Sequence, residues 1–127
     1  MIQVICPVCG AALAPQGTAW RCVQGHCFDV ARQGYVNLLT VTQKHSRHPG
    51  DTREMVAARR AFLDAGWYAP IAKTLADLVR RFCPEAASVL DAGCGEGYYL
   101  SQLGWVPERW GIDISRDAVR YAAVRDR

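Results

Sequence analysis

Four residues that commonly bind metal ions lie in two closely spaced pairs near the start of the sequence. Their arrangement is Cys6-x2-Cys9-x12-Cys22-x3-His26. A C-x2-C pair places two thiolates on one tight turn, and a second pair closes a tetrahedron around one ion. Three sulfurs and one imidazole suit zinc, and four protein ligands leave no open position for a substrate. The pattern therefore predicts a structural zinc site, whose metal supplies the folding free energy of a segment of about 35 residues.

The fourth ligand has an alternative, because Cys27 directly follows His26. A Cys22-x4-Cys27 pair also has a spacing that can bind a metal, and the cysteines can also be read as unrelated reduced thiols. We favour His26 as the ligand and Cys27 as a bystander. Cys83, at the end of a predicted helix and before a proline, is predicted to be packed and unreactive.

A glycine-rich segment with a different chemistry lies at residues 89–99, V-L-D-A-G-C-G-E-G-Y-Y. A hydrophobic strand runs through Asp91 into Gly93, Gly95 and Gly97, and a helix follows. Glycines without a Cβ let the backbone turn sharply and approach a ligand closely. The pattern is typical of a nucleotide-type cofactor loop, although a similar loop in a fold that binds no nucleotide is the alternative.

Acidic residues around this loop indicate which cofactor it would take. Asp113 ends a second strand, 22 residues after Asp91, and is placed to accept hydrogen bonds from ribose hydroxyls. The loop reads G-x-G-x-G, whereas a dinucleotide fingerprint reads G-x-G-x-x-G. Asp91 and Glu96 disfavour a pyrophosphate and suit a cofactor with a cationic amine and sulfonium. We therefore predict S-adenosylmethionine rather than NAD, with Cys94 as a small buried residue of the loop.

Composition divides the chain into three regions, and the predicted elements place the two sites. We predict a zinc-binding module at residues 1–38, a polar, basic linker at 39–50 and an α/β region at 51–127. A helix should begin at Asp51, with Glu54 completing a capping box, and end before Gly66; Met55, Ala58, Phe62 and Ala65 form its apolar stripe. The further predicted elements are a helix at 70–82, a buried strand at 88–91, a helix at 97–103, a strand at 110–114 and a helix at 116–125 capped by Ser115.

Charge and hydropathy limit the classes of protein to consider. The net charge is +3, but the basic residues concentrate in residues 31–60, where the sum is +4. This stretch is predicted either to contact RNA phosphates or to form a solvated face. No segment reads as a membrane span or a signal peptide, so we expect a cytoplasmic protein with reduced cysteines.

These motifs together resemble a known family, the bacterial 23S rRNA (guanine-N1)-methyltransferases, or RlmA-like enzymes. The resemblance covers essentially the whole chain. It rests on the Cys6/Cys9/Cys22/His26 knuckle and on four segments: FDVARQGYVNLL at 28–39, PGD at 49–51, MVAARRAFLDAGWY at 55–68 and VLDAGCGEGYY at 89–99. The last segment is shared by many methyltransferases, whereas its combination with the others is specific.

The resemblance implies a zinc ribbon or knuckle followed by the start of a class I Rossmann-like methyltransferase domain with an incomplete sheet. It implies methylation of a guanine N1 in a 23S rRNA hairpin, with S-adenosylmethionine and zinc as cofactors. We also predict a homodimer for the full-length form. The zinc ligands would be the four residues of the knuckle. The cofactor-binding residues would be Tyr68, Asp91, Gly93, Gly95, Glu96, Gly97, Tyr98 and Asp113. The residues expected to contact phosphates are Arg32, Lys44, Arg47, Arg53, Arg59 and Arg60.

The chain departs from the family in its length, because a domain of this type has about seven strands and only two follow residue 88. We therefore expect a fragment, a truncated product or half of a split assembly, and no catalytic base is identified. Two other functions stay open: a non-catalytic zinc-ribbon RNA-binding module, and a small-molecule methyltransferase whose zinc module is only a structural cap.

Overall fold

The N-terminal region folds as a small three-stranded antiparallel sheet. We describe a computed structural model of the protein, which covers residues 2–126. Strands β1 (Leu13–Gln16), β2 (Ala19–Cys22) and β3 (Cys27–Asp29) follow one another in the sheet in chain order. Leu13 faces Cys22 across the first pair of strands, and Trp20 faces Phe28 across the second. The short strands place the two halves of the cysteine pattern at one end of the sheet.

The core of this region is very small. Its buried cluster consists of Cys6, Leu13 and Cys22. Partly buried apolar side chains pack around that cluster, namely Val4, Ala11, Trp20, Phe28 and Leu38. Two of the three central residues are predicted metal ligands, so the core and the predicted metal site are the same place. So few apolar side chains do not outweigh the conformational entropy of about 35 ordered residues.

The second region alternates helices with two parallel strands. Its elements are α1 (Arg53–Asp64), α2 (Ala69–Phe82), β4 (Ser88–Ala92), α3 (Tyr98–Ser101), β5 (Glu108–Ile112) and α4 (Arg116–Arg125), and a 3₁₀ turn at Val41–Gln43 precedes them. β4 and β5 are parallel and in register from Ser88 opposite Glu108 to Ala92 opposite Ile112. The molecule is therefore a mixed α/β chain, as the element order predicts.

Helix α1 begins one residue later than predicted. Thr52, not Asp51, is its N-cap, and the Thr52 hydroxyl accepts a hydrogen bond from the Met55 N–H. Asp51 has other partners: its carboxylate pairs with Arg59, and its carbonyl accepts a hydrogen bond from the Ser115 hydroxyl. The predicted capping box was wrong, because tertiary partners hold Asp51 outside the helix. Gly66 follows the helix with a φ of +89°, as predicted for a C-terminal glycine.

The face of α1 that is buried is also not the predicted one. Val56 and Leu63 are buried, whereas Met55 and Phe62 are about half exposed. Positions 55 and 62 share the helical spacing of positions 56 and 63, so periodicity alone does not decide between the two stripes. The stripe beginning at Met55 was therefore wrong, because the packing partners select the adjacent face.

Helix α2 and strand β4 lie where predicted, but the strand is more exposed than predicted. Along α2 only Ala72 is buried, and its long apolar side chains, such as Ile71 and Phe82, are exposed. Leu90 in β4 is 49% exposed, so the strand predicted to be buried is only half covered. β5 ends at Ile112 rather than at 114, since the chain turns away from the sheet at Asp113. α4 and its cap, Ser115, match the prediction.

The two regions are in contact with each other. The Trp20 ring in β2 meets the Trp110 ring in β5 edge to face, with centroids 5.7 Å apart. The Arg116 Nε donates to the Tyr35 hydroxyl over 3.2 Å. No helix within residues 2–126 combines the length and apolar character that crossing a membrane requires.

Candidate metal centre and cofactor loop

Two tight turns bring the four predicted metal ligands together. The ligand atoms of Cys6, Cys9, Cys22 and His26 all lie within 4.8 Å of one another. In the first turn the Gly10 N–H donates to the Cys6 carbonyl over 2.8 Å. In the second the Gly25 N–H donates to the Cys22 carbonyl over 3.0 Å. Both glycines have positive φ, 71° and 85°, so the backbone bends sharply at each pair.

The donor set fits zinc. The Cys22 sulfur lies 3.7 Å from the Cys9 sulfur and 3.4 Å from His26 Nδ1. Burial opposes ionisation of Cys22, but hydrogen bonds from the His26 backbone and side chain and from the Gln24 backbone lower its pKa. Three such sulfurs and one imidazole match a closed tetrahedral zinc site, so a structural role follows from the donors present.

Cys27 is not part of this cluster. It lies in β3, opposite Arg21, and it is exposed. His26 lies in the turn that precedes β3, and its ring nitrogen is within 4.8 Å of the three thiols, whereas Cys27 begins the strand and is not in that group. The structure therefore places His26, and not Cys27, with the three thiols. Cys83, predicted to be packed, is exposed, because the end of α2 has no covering element within residues 2–126.

The glycine-rich loop bends at each of its three glycines. Gly93, Gly95 and Gly97 have φ values of 88°, 56° and 86°. A Cβ at Gly93 or Gly95 would meet nothing within 4 Å, so the backbone there faces open space. A Cβ at Gly97 would lie 3.1 Å from the Ala122 Cα, so this glycine allows α4 to pack against the loop. The first two glycines thus leave backbone accessible, and the third is needed for packing.

Asp113 joins this loop to the next strand. One of its carboxylate oxygens accepts the Gly95 N–H over 2.9 Å, and the other accepts the Ser115 N–H over 2.8 Å. Each carboxylate oxygen has a further lone pair for a ligand hydroxyl. Burial, followed by the charge of Asp113, raises the pKa of Asp91, so the two acids lie near each other at the ends of β4 and β5. The arrangement combines bent backbone, acceptors and negative charge at one sheet edge.

Glu96, predicted to contact the cofactor, is buried and forms an ion pair within the fold. It is only 2% exposed, and its carboxylate forms an ion pair with Arg125 of α4, whose Nε donates to it over 2.8 Å. Arg125 also reaches Asp64 of α1 over 2.9 Å. A contact of Glu96 with a cofactor stays a prediction, and in this structure the carboxylate is enclosed by its arginine partner. The sequence carries no signal of this, since its partner lies 29 residues away.

The two predicted tyrosines differ in accessibility. Tyr98 is 9% exposed and packs in the core cluster with Leu63 and Ala72, so its ring is a packing element. Tyr68 is 41% exposed and meets Phe62 edge to face at 4.9 Å. Tyr68 and Tyr98 both help, after burial, to raise the pKa of Tyr99, which places all three near the start of α3.

Cys94 is a buried residue of the loop, as predicted. Burial, followed by the charges of Asp113 and Asp91, raises its pKa to about 12. Its sulfur packs on Gly111 of β5, where an added Cβ would lie 2.9 Å from it. The thiol is neutral at physiological pH, so it is unsuited to nucleophilic chemistry. Sequence reasoning misses Gly111 because its role depends on a residue of the glycine loop beside it.

The basic residues predicted to contact phosphates are not equivalent. Arg59 is paired with Asp51 at 2.5 Å. Lys44 and Arg47 lie in the exposed segment before α1, and Arg32 lies in the turn after β3. Arg53 and Arg60 line a groove together with residues of α4. The structure therefore distributes this set over several surfaces rather than one.

Comparison with known proteins shows similarity over most of this chain. Residues 4–47 match the sequence model of a zinc-ribbon family described as RlmA, N-terminal. A putative 23S rRNA (guanine-N(1)-)-methyltransferase of Micromonospora griseorubida is 43% identical over 93% of this chain and 46% of its own length. The 23S rRNA (guanine(748)-N(1))-methyltransferase of Streptomyces fradiae is 45% identical over 93% of this chain and 43% of its own length.

A more distant relative is named for a different substrate. A dTDP-3-amino-3,4,6-trideoxy-alpha-D-glucopyranose N,N-dimethyltransferase of Streptomyces venezuelae is 39% identical over 46% of this chain and 25% of its own length. The chain thus spans less than half the length of the curated relatives it matches. The resemblance to the 23S rRNA (guanine-N1)-methyltransferases, inferred from the motifs, is confirmed over 93% of this chain.

Proposed function

From its similarity to the 23S rRNA (guanine-N1)-methyltransferases, we propose that this chain provides the zinc-binding and cofactor-binding portion of such an enzyme. The reaction is methylation of a guanine N1 in a 23S rRNA hairpin, with S-adenosylmethionine as the donor. The observation that carries the proposal is the bond between the Asp113 carboxylate and the Gly95 N–H, at the ends of two parallel strands. That geometry supports a class I Rossmann-like domain, in which such an edge binds the cofactor.

The proposed cofactor site uses backbone and acidic groups. When bound, S-adenosylmethionine supplies the methyl group. The open backbone at Gly93 and Gly95 approaches the cofactor, Asp113 accepts from its ribose, and Asp91 offers negative charge to its cationic end. Gly97 and Tyr98 shape the loop from behind, and Tyr68 contributes an exposed ring. These residues orient the cofactor, and orientation is worth up to about 7–11 kcal/mol of the barrier in such transfers.

The proposed domain division follows the motifs. Residues 1–38 are a zinc-binding RNA-recognition module, residues 39–50 a basic linker, and residues 51–127 the N-terminal part of the methyltransferase domain. The zinc site supports folding of the module and has no step in the reaction. The guanine of a hairpin loop is splayed out for recognition, as single-stranded bases are. We place the protein in the cytoplasm, and the homodimer of the full-length form stays a prediction.

The relative from Streptomyces venezuelae favours a second candidate, in which the methyl acceptor is a small molecule. In that case the zinc region is a structural cap. Filter binding of the chain to an rRNA hairpin and to an unrelated RNA separates the two candidates, because the second predicts no preference. Cofactor titration distinguishes both candidates from a non-catalytic RNA-binding module, because such a module would show no saturable binding of S-adenosylmethionine.

Calorimetric titration with S-adenosylmethionine tests the cofactor site directly. We expect saturable binding by the unaltered chain, weakened about tenfold or more in Asp113→Asn, since a hydrogen bond to a charged group is worth about 1.5–3 kcal/mol. Asp77→Asn is the matched control, because Asp77 lies on α2 in an exposed pair with Lys73. Zinc content should be equal in all three proteins. No binding by the unaltered chain, or equal affinities of the two variants, would overturn the site.

A further inference from the structure

A groove away from the glycine loop is lined by three arginines among its seven residues. It has a volume of about 320 Å³ and lies between α1, α4 and the turn that follows β3. The residues that line it include Gln33, Arg53, Arg60, Asp117, Arg120 and Tyr121. Two of the arginines come from α1 and one from α4. Residues 91–127 sum to −1 in the sequence, so net charge along the chain does not predict a cationic surface on α4.

The guanidinium groups of this groove are only weakly neutralised. Arg60 lies 3.5 Å from Asp64, and Arg120 lies 3.9 Å from Asp117, which exceeds hydrogen-bond distance. Within residues 2–126, Arg53 makes no hydrogen bond and no ion pair through its side chain. The lining itself holds three guanidinium groups and one carboxylate, a net charge of +2, and Asp64 partly offsets Arg60 from outside the lining. Each guanidinium offers five N–H donors, most of which remain available.

Arg60 is also held in position by an aromatic ring. The Arg60 guanidinium lies over the Tyr121 ring, 4.9 Å from its centroid, so it stacks on α4 while keeping its donors at the edge. Arg53 and Arg60 are two helical turns apart on one side of α1. Arg116 and Arg120 are one turn apart on α4, and Arg116 is anchored by the Tyr35 hydroxyl. The groove thus receives Arg53 and Arg60 from α1 and Arg120 from α4.

We propose that this groove binds the phosphodiester backbone of an RNA strand, with Arg53, Arg60 and Arg120 as its phosphate contacts. The inference rests on the proposed function, since it assigns part of the RNA-binding surface of the same enzyme. Arginine is the side chain whose planar fork matches phosphate oxygens in two-point contacts. A backbone-binding groove positions the strand and carries no sequence readout. The Gln33 amide adds a neutral hydrogen-bonding group to the lining, from the turn that follows β3.

This assignment changes the set of phosphate contacts that the sequence suggests. Arg59 neighbours Arg60 in sequence, but its guanidinium is held by Asp51 and it does not line the groove. Arg120 lines the groove but lies outside the basic stretch 31–60. Arg59 and Arg60 therefore form a matched pair on one helix, with the same charge and different surroundings.

The salt dependence of RNA binding tests the groove with the full chain. The probe is a short single-stranded RNA, and the logarithm of its binding constant is measured against the logarithm of salt concentration. Removing one arginine that binds a phosphate should reduce the magnitude of that slope by about 0.7. We expect Arg53→Gln, Arg60→Gln and Arg120→Gln each to show such a reduction, with severalfold weaker binding at low salt. Arg59→Gln and Arg81→Gln, the latter on α2, should leave the slope unchanged.

Separate readouts distinguish this inference from the proposed function. Zinc content and S-adenosylmethionine affinity should be unchanged in the groove variants, and Arg120→Lys, which keeps the charge, should retain the slope of the unaltered chain. If Arg59→Gln lowers the slope as much as Arg60→Gln does, the effect is one of net charge and the groove assignment is wrong. If the unaltered chain binds S-adenosylmethionine but shows no salt-dependent RNA binding, the groove assignment is wrong and the cofactor-site assignment is supported.

Discussion

The zinc region and the α/β region solve the same problem, that of folding with little apolar surface, by different means. The zinc region centres its core on two metal ligands, Cys6 and Cys22, with one leucine between them. The α/β region uses side-chain packing together with an enclosed ion pair, Glu96 to Arg125. The first region should therefore depend on metal, and the second on close contacts between elements distant in sequence. The comparison teaches that one chain carries two different sources of stability.

The largest effect is expected from removing a zinc ligand, which tests whether the zinc region needs the metal in order to fold. Cys9→Ser should remove zinc and unfold this region, because metal binding in such small modules is worth about 10–16 kcal/mol at pH 7. The helical circular-dichroism signal of α1, α2 and α4 should persist. Elemental analysis measures the zinc content, and near-ultraviolet circular dichroism of the tryptophans measures the loss of tertiary structure. Cys27→Ser is the control and should keep one zinc. Loss of zinc in that variant would show that Cys27, and not His26, is the fourth ligand.

The next effect tests the ion pair that joins the elements of the α/β region. Arg125→Met should lower the free energy of unfolding by about 3 kcal/mol, because Glu96 would be left enclosed without its partner. Urea unfolding followed by helical dichroism measures this. Lys73→Met, in an exposed pair at 2.8 Å, serves as control and should cause no measurable change. Similar effects of the two substitutions would show that the enclosed pair contributes no more than a surface pair.

A smaller effect concerns the close contact between β5 and the glycine loop. Gly111→Ala should cost about 1–3 kcal/mol, because the new Cβ would lie 2.9 Å from the Cys94 sulfur. Gly104→Ala is the control, since an added Cβ there meets nothing within 4 Å. Thermal unfolding of both variants, and of Gly111→Ala combined with Cys94→Ala, gives the comparison. Failure of the double substitution to recover any stability would place the strain elsewhere.

The smallest expected effect is a difference in reactivity between a buried and an exposed cysteine of the α/β region. The Cys94 thiol, with its pKa raised to about 12, should react with iodoacetamide much more slowly than the exposed Cys83 at pH 8. Because the folded pKa lies above the ordinary value of 9.0, the thiol's contribution to stability is present below pH 9.0 and is lost as pH rises toward 12. Peptide mass spectrometry of zinc-loaded protein measures the labelling. Equal rates would show that Cys94 is accessible.

The features that local spacing decides could be predicted from the sequence, and those that depend on distant partners could not. The two metal-binding pairs and the cap at Ser115 are set within a few residues, and each matches its prediction. The ion pair of Glu96 with Arg125 could not be predicted, because an acidic residue in a loop carries no information about the direction of its side chain. The prediction of the buried face of α1 was wrong because Met55 and Val56 begin equally periodic stripes.

The contact between Trp20 and Trp110 has a consequence for dissecting the molecule. Composition separates a cysteine-rich segment from an α/β segment, but the boundary in composition is not a boundary in packing. A shorter protein beginning near residue 51 would bare one indole of this pair and release the arginine that Tyr35 anchors. Such a piece should be less soluble than the intact chain, so the two segments are better expressed together.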